Sequence, residues 1–199
     1  PCDAQDAPLD FETTRKSAEQ GNAKAQYTLG KMYLHGDGVL KDYKLAARWT
    51  TKAAEQGDVK AQYNLGFMYF NGEGVPKDTK QAVTWFSKAA KQGDAKAQHN
   101  LGVMHFYGEG IPKDYKQAIL WLTKAAEQGV AKAQYILGEM HFYGKGVPKD
   151  TKQAAVWFSK AAKQGDAKAQ YILGLMYFNG DGVAKNHKQA LIWYTKAAK

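Results

Sequence analysis

Five stretches of the sequence carry two glycines spaced G-x-G: HGDGVLKD, NGEGVPKD, YGEGIPKD, YGKGVPKD and NGDGVAKN. Such glycines could let the backbone close on a phosphate, because peptide N–H groups without a neighbouring Cβ can converge on an anion. A phosphate loop also needs a preceding strand and a longer glycine or Gly-Lys-Ser/Thr pattern, and the sequence has neither. The five histidines raise metal binding instead. His105 and His141 hold the same place in successive segments, but stacked helices lie roughly 8–10 Å apart, and a shared zinc needs about 2 Å to each nitrogen. His99 and His105 are six apart on one helix and point to different sides, while His35 and His187 have no companion. There is no Gly-x-Ser-x-Gly elbow and no His-Glu-x-x-His, and the single cysteine, Cys2, lies outside the segments that hold the histidines. The acidic residues sit mainly at turns and helix ends, where capping and dipole effects account for them. No catalytic residue, cofactor or metal site is expected.

The elements that position these residues follow a period. Gly21, Gly57, Gly93, Gly129 and Gly165 are 36 residues apart, as are Trp49, Trp85, Trp121, Trp157 and Trp193. Self-similarity at this length marks stacked helical repeats. Each unit opens with a segment such as AKAQYNLGFMYFNG, turns at the glycines, and closes with one such as TKQAVTWFSKAAKQG. Ala61, Leu65, Met68 and Tyr69 in the first segment, and Ala82, Trp85, Ala89 and Ala90 in the second, fall at helical spacing. Asp78 suits an N-cap, with Gln81 as its capping-box partner; Asp114 with Gln117, Asp150 with Gln153 and Asn186 with Gln189 repeat the pairing. Gly72 fits a left-handed helix end and Pro76 delays the next helix. Val130 stands where other units have Asn22, Asp58, Asp94 and Asp166, so one helix is expected to start without a side-chain cap. Trp121, in the middle unit, is expected to be buried between helices on both sides. A lone helical pair buries too little apolar surface to offset chain entropy, so stability must come from stacking.

Composition agrees with a folded chain, at 44% hydrophobic and 24% charged residues. No apolar run approaches the roughly 18 residues of a membrane span. One thiol cannot form an internal disulfide. A chain that begins Pro1-Cys2 is expected to be a processed or shortened form, so the missing signal segment is silent on location. The formal charge of +9 favours acidic partners, although the lysines recur at fixed places rather than in one block.

With period, turn and helix pattern together, the sequence resembles the Sel1-like repeat family, a branch of the tetratricopeptide-like solenoids. The residues that carry the resemblance are AQYxLGxMYxxGxGVxKDxxxAxxWxxKAAxQG, nearly intact in every unit from residue 22 to 199. It implies an all-α, right-handed α-solenoid of helix-turn-helix repeats at 23–58, 59–94, 95–130, 131–166 and 167–199 forming one domain. A capping helix at 9–21 precedes them, with Glu12, Arg15 and Lys16 facing solvent, and residues 1–8 form a polar leader. The resemblance also implies an adaptor or scaffold, often bacterial and exported, hence periplasmic or secreted, with a cytoplasmic home as the alternative. Cysteine-rich relatives linked to β-lactam binding carry paired cysteines in each repeat, and this chain has none.

In arrays of this kind the first helix of each unit lines the concave surface, which by resemblance places five columns there. One is the lysine ladder of Lys24, Lys60, Lys96, Lys132 and Lys168. A second holds Tyr27, Tyr63, His99, Tyr135 and Tyr171, and a fourth Leu34, Phe70, Phe106, Phe142 and Phe178. The third and fifth vary: Lys31, Phe67, Val103, Glu139 and Leu175, then His35, Asn71, Tyr107, Tyr143 and Asn179. Packing alone would hold the constant columns, whereas the variable ones face a specific partner or water. Aromatics beside lysines suit a protein or peptide segment carrying apolar and acidic groups. The expected function is therefore a non-catalytic protein-interaction module, and the resemblance implies as its more specific form an immunity or inhibitor protein that sequesters a secreted toxin. The alternatives are an envelope enzyme or peptidoglycan- or β-lactam-binding module, and a nucleic-acid binder resting on charge alone.

Overall fold

The computed structural model describes residues 10–198. Cys2 and the leader expected over residues 1–8 lie outside the described residues. Eleven helices and no strand are present among the described residues. The chain divides into two compact units, the first ending at Asp94 and the second starting at Ala95. The first contains α1 (Phe11–Glu19), α2 (Ala23–His35), α3 (Tyr43–Glu55), α4 (Val59–Asn71) and α5 (Thr79–Lys91). The second contains α6 (Ala95–Tyr107), α7 (Tyr115–Glu127), α8 (Ala131–Tyr143), α9 (Thr151–Lys163), α10 (Ala167–Asn179) and α11 (His187–Ala197). Each repeat is a pair of these helices, and the even-numbered member is its first helix.

The helix starts are capped as the sequence implies. Asp58 accepts from the Ala61 N–H at 2.8 Å, and Asp78 from the Lys80 and Gln81 N–H groups at 2.9 and 3.0 Å. The reciprocal half of the capping box is different from the expectation. The Asp78 N–H donates to the Tyr69 carbonyl at 2.9 Å, so Gln81 has no cap N–H to receive. The same holds at Asp114, Asp150 and Asn186, whose N–H groups go to the carbonyls of His105, His141 and Tyr177. This bond ties each turn back to the helix it has just left. At the other end of α4, Gly72 takes φ 82°, and its N–H closes on the Met68 carbonyl, the left-handed stop that a residue with a Cβ resists.

Within a repeat the two helices meet at a glycine. A Cβ on Gly66 would lie 2.7 Å from the Phe86 ring, and one on Gly138 equally close to Phe158. The side chain that faces the glycine is therefore the fully buried one, and it directly follows the tryptophan. This corrects the expectation for Trp121. It is only half-buried, with the Lys124 ammonium 4.7 Å from the ring centre on its open side, while Leu122 beside it is wholly buried. Apolar clusters fill each unit: Ala46, Ala47, Ala61, Leu65, Met68 and Trp85 belong to one, and Leu122, Ala125, Leu137, Met140 and Trp157 to another.

Successive repeats are joined by buried glutamines. The Gln62 amide donates to the Ala54 carbonyl of the preceding helix at 3.1 Å, and its oxygen accepts from Gln92 at 2.8 Å. In the second unit Gln134 donates to Ala126 at 3.0 Å and accepts from Gln164 at 2.8 Å. The capping helix uses the same joint, since Gln26 donates to the Ala18 carbonyl at 3.1 Å. Helix α1 thus occupies the place of a repeat's second helix, and Glu12, Arg15 and Lys16 are exposed on it, with Arg15 paired to Glu12 at 3.0 Å.

Helix α8 begins at Val130, which makes no side-chain cap and packs partly against the neighbouring core. Val130→Asp should supply the acceptor that Asp58 and Asp166 provide elsewhere, at the loss of some apolar contact. We expect a net gain of about 0.5–1 kcal/mol, the lower half of the usual capping value. Urea melts should show a higher midpoint at unchanged slope; an equal or lower midpoint would mean that the packing of Val130 outweighs the cap.

Candidate partner-binding face

The first helices set the five columns, and the structure separates their exposure. Lys60, Lys96 and Lys132 are solvent-exposed, as are Lys24 and Lys168. Tyr63 is half-buried, its ring 5.8 Å from that of Phe86 and 6.5 Å from that of Phe67. Tyr135 packs likewise on Phe158 at 5.7 Å, and its hydroxyl donates to Glu139 at 3.1 Å. Burial, with the Glu139 charge adding to it, raises the Tyr135 pKa well above its usual value. Tyr27 instead accepts from the Asn64 amide at 3.2 Å. Burial raises its pKa despite that bond, and the nearby Asp58 and Asp94 charges act the same way.

Exposure does not divide along the variable and constant columns, since Tyr171 and Phe178 of the constant ones are exposed as well. Phe67 is 43% exposed, Tyr107 57% and Tyr143 60%. Val103, Glu139 and Leu175 are half-buried, and Asn71 and Asn179 are exposed. Asn71 and Asn179 donate to the turn carboxylates of Glu73 and Asp181 at 3.0 and 3.3 Å. Phe70 and Phe142 are half-buried. Phe106 departs from the expected partner face: it is only 6% exposed, enclosed by Tyr107 and Tyr115 with ring centres at 4.9 and 5.4 Å and roofed by the Lys145 ammonium. It belongs to the core rather than to a surface.

Two cavities open between adjacent first helices at equivalent places. In the second unit Glu139, Phe142 and Tyr143 of α8 face Leu175, Met176 and Asn179 of α10 across about 130 Å³, with Phe158 at the floor. In the first unit Lys31, Leu34 and His35 of α2 face Tyr63, Asn64 and Phe67 of α4 across about 270 Å³. Its floor is Thr50, with Met68 beside it. Five residues of the expected columns thus line each niche. A broader apolar hollow of about 700 Å³ lies among Tyr135, Tyr171, Ile172, Tyr194 and Ala197. Its walls correspond to positions that carry the next first helix in the preceding repeat. Sequence reading missed Lys145 and Thr50. Each breaks a column that could have revealed it: Lys145 among Asp37, Glu73, Glu109 and Asp181, and Thr50 among Phe86, Leu122, Phe158 and Tyr194.

Charge is divided unevenly. Residues 1–94 carry 13 Lys and Arg against 12 Asp and Glu, whereas residues 95–199 carry 15 against 7. Nearly all the basic excess therefore belongs to the second unit. Among the described residues no three His, Cys, Asp or Glu side chains converge as a metal site, and no helix is long and apolar enough to cross a membrane.

The Sel1 repeat profile matches residues 23–58, 59–94, 95–130, 131–166 and 167–199, the same five segments that the period defines. The chain belongs to the Sel1 repeat family. Sel1 repeat proteins are in general protein-interaction modules, not enzymes. A Sel1 repeat protein from Oxalobacter formigenes has a similar structure, with TM-score 0.87 at 36% identity over 94% of this chain and 83% of that one. A protective antigen of uropathogenic Escherichia coli aligns at TM-score 0.59 and 36% identity over 96% of this chain, which spans only 49% of that protein. An immunity protein from Pseudomonas aeruginosa shares the fold at TM-score 0.56 and 22% identity, over 94% of this chain and 72% of that one. No curated protein matches the chain in sequence.

Three histidines of this Sel1 repeat chain carry buried Nδ1 atoms without a hydrogen-bond partner: His99, His105 and His141. The position that supplies Asn64 to Tyr27 is Ile136 in the repeat after His99, and a hydrocarbon offers His99 nothing. Burial, then the Lys132 charge, lowers the His99 pKa to about 4, and burial also lowers those of His105 and His141 against the opposing pull of Asp114 and Asp150. The folded state thus prefers neutral imidazoles, while the unfolded chain takes up protons near 6.5. Stability should be complete above that value and fall as the pH drops toward 4. Urea melts at pH 7 and 4.5 should differ, and His99→Phe should remove on the order of 2 kcal/mol of that difference. An unchanged pH dependence in the variant would show that His99 is already charged in the folded state.

Proposed function

We propose that this Sel1 repeat protein is a non-catalytic interaction module whose first helices, in each of the two units, bind extended, acidic segments of a partner protein. The observation that carries this reading is the exposure of Phe67, Tyr107 and Tyr143 on first helices whose neighbouring column is lysine throughout. Large, stiff aromatic rings supply contact area at little entropic cost and dominate interfaces where they occur, while lysines steer acidic chains toward them. The niches between first helices give side chains of the segment places to enter. The basic excess of residues 95–199 supports an acidic partner.

Nucleic acid is the less favoured ligand. In the second unit Lys145 lies 5.4 Å over the Tyr143 ring, Lys149 5.8 Å over Phe142 and Lys113 5.9 Å over Tyr115. Those ammonium groups occupy ring faces on which bases would stack. Because an immunity protein shares this fold, the partner to test first is a secreted effector. Sequestering it would place the protein in the periplasm or outside the cell.

The test is to replace Phe67, Tyr107 and Tyr143 together with alanine and measure affinity for the partner recovered from the native host. We expect a loss of about 2 kcal/mol or more, with helical circular dichroism and melting temperature close to those of the parent. Lys60→Glu, Lys96→Glu and Lys132→Glu combined should mainly slow association, and rising salt should erase the difference. Normal binding by both variants, together with loss of binding when exposed second-helix residues such as Lys88 and Lys124 are changed, would place the interface elsewhere.

A further inference from the structure

The two niches between first helices are built on one plan and differ in one respect that the repeat pattern itself exposes. In the second unit the floor is the Phe158 ring, which rests against Gly138 and packs on Tyr135 and Phe142 at 5.7 and 6.5 Å. In the first unit Gly30 faces Thr50, and a Cβ there would lie 2.6 Å from the hydroxyl and 3.2 Å from the Ala46 carbonyl oxygen and the Thr50 nitrogen. Yet the side chain under the niche is threonine, and Leu34 and His35 replace the larger Phe142 and Tyr143 on its wall. The space is about 270 Å³ instead of about 130 Å³. The niche is thus wider where the sequence has smaller side chains at three of its lining positions.

From this we infer that the niche over Thr50 is a side-chain pocket that selects partners. It accepts one bulky apolar side chain of an acidic peptide segment, whose adjacent carboxylate pairs with Lys31. This rests on the reading that first helices bind the partner, and it names the residue class they read. The apolar part follows from the walls of Leu34, Phe67 and Met68. The charge follows from the helices themselves: α2 and α4 carry Lys24, Lys31, His35 and Lys60 and no acidic residue. The carboxylate at the rim, Glu73, already accepts from Asn71 at 3.0 Å. A carboxylate on the incoming chain therefore meets Lys31 on the α2 wall, and a ring or long aliphatic chain fills the space beside Thr50.

The decisive variant is Thr50→Phe, which gives the first repeat the residue present at Phe86 and Phe158 and should keep the fold. The second variant is Thr50→Leu, which copies the residue that Leu122 supplies at the same position. The probe is a library of random twelve-residue peptides displayed on phage and panned on the full chain, with enriched sequences remade as synthetic peptides. We expect enrichment of Phe, Trp, Leu or Met within two residues of Asp or Glu. Both variants should bind those peptides at least tenfold more weakly while melting no lower than the parent, and Lys31→Glu should weaken binding most at low salt. Unchanged affinity in Thr50→Phe and Thr50→Leu would overturn the pocket. If the Tyr107 and Tyr143 alanine variants lose the peptides while the Thr50 variants keep them, the first-helix reading stands and the pocket alone falls. If neither set matters, both fall. Enrichment of peptides without an acidic residue would also overturn the assignment.

Discussion

The stack depends on one polar interaction placed where polar groups are least tolerated. A glutamine such as Gln62 or Gln134 sits almost wholly inside the joint between repeats, where an unmatched amide would cost several kcal/mol. It is matched on both sides, by a carbonyl of the helix before it and by the glutamine that ends its own repeat. Apolar contacts between alanines would allow the helices to slide by a turn with little penalty. The amide does not, because only one register satisfies it. The alanines supply the attraction and the glutamine fixes the position.

The first-helix surface inherits its regularity from that joint. Within each unit, once the register is fixed, any departure from the consensus becomes a local feature of the surface. Thr50, Leu34 and His35 line a wider niche than Phe158, Phe142 and Tyr143 do. Lys145 converts an acidic turn into a cation lying over two aromatic rings because the turn itself does not change. The repeat pattern is what makes the effect of each departure geometric.

Much of this was legible in the chain before folding. The period, the helix pairs, the left-handed glycine stops and the uncapped start at Val130 all follow from spacing and residue type. The misreadings share a cause: a contact outside the local segment decided each one. The capping box gave way because the Asp78 N–H bonds to Tyr69, a residue of the previous helix. Phe106 left the surface because Tyr107, Tyr115 and Lys145 close over it, and its repeat equivalents lack that combination. The glutamine joint was visible as a recurring letter, but its hydrogen-bond partners lie in other repeats and no local rule points to them.

The second helices carry a feature of another kind. In every repeat a lysine three residues after the tryptophan holds its ammonium over the indole, at distances between 3.8 Å for Lys88 and 4.7 Å for Lys124. The indoles are therefore chromophores with a fixed cation at their open face. Acetylating those amines would remove the charge without disturbing the buried side of the ring. Fluorescence from this chain thus reports the chemistry of its outer lysines as well as its folding, and the two can be read apart by a modification that leaves the helices intact.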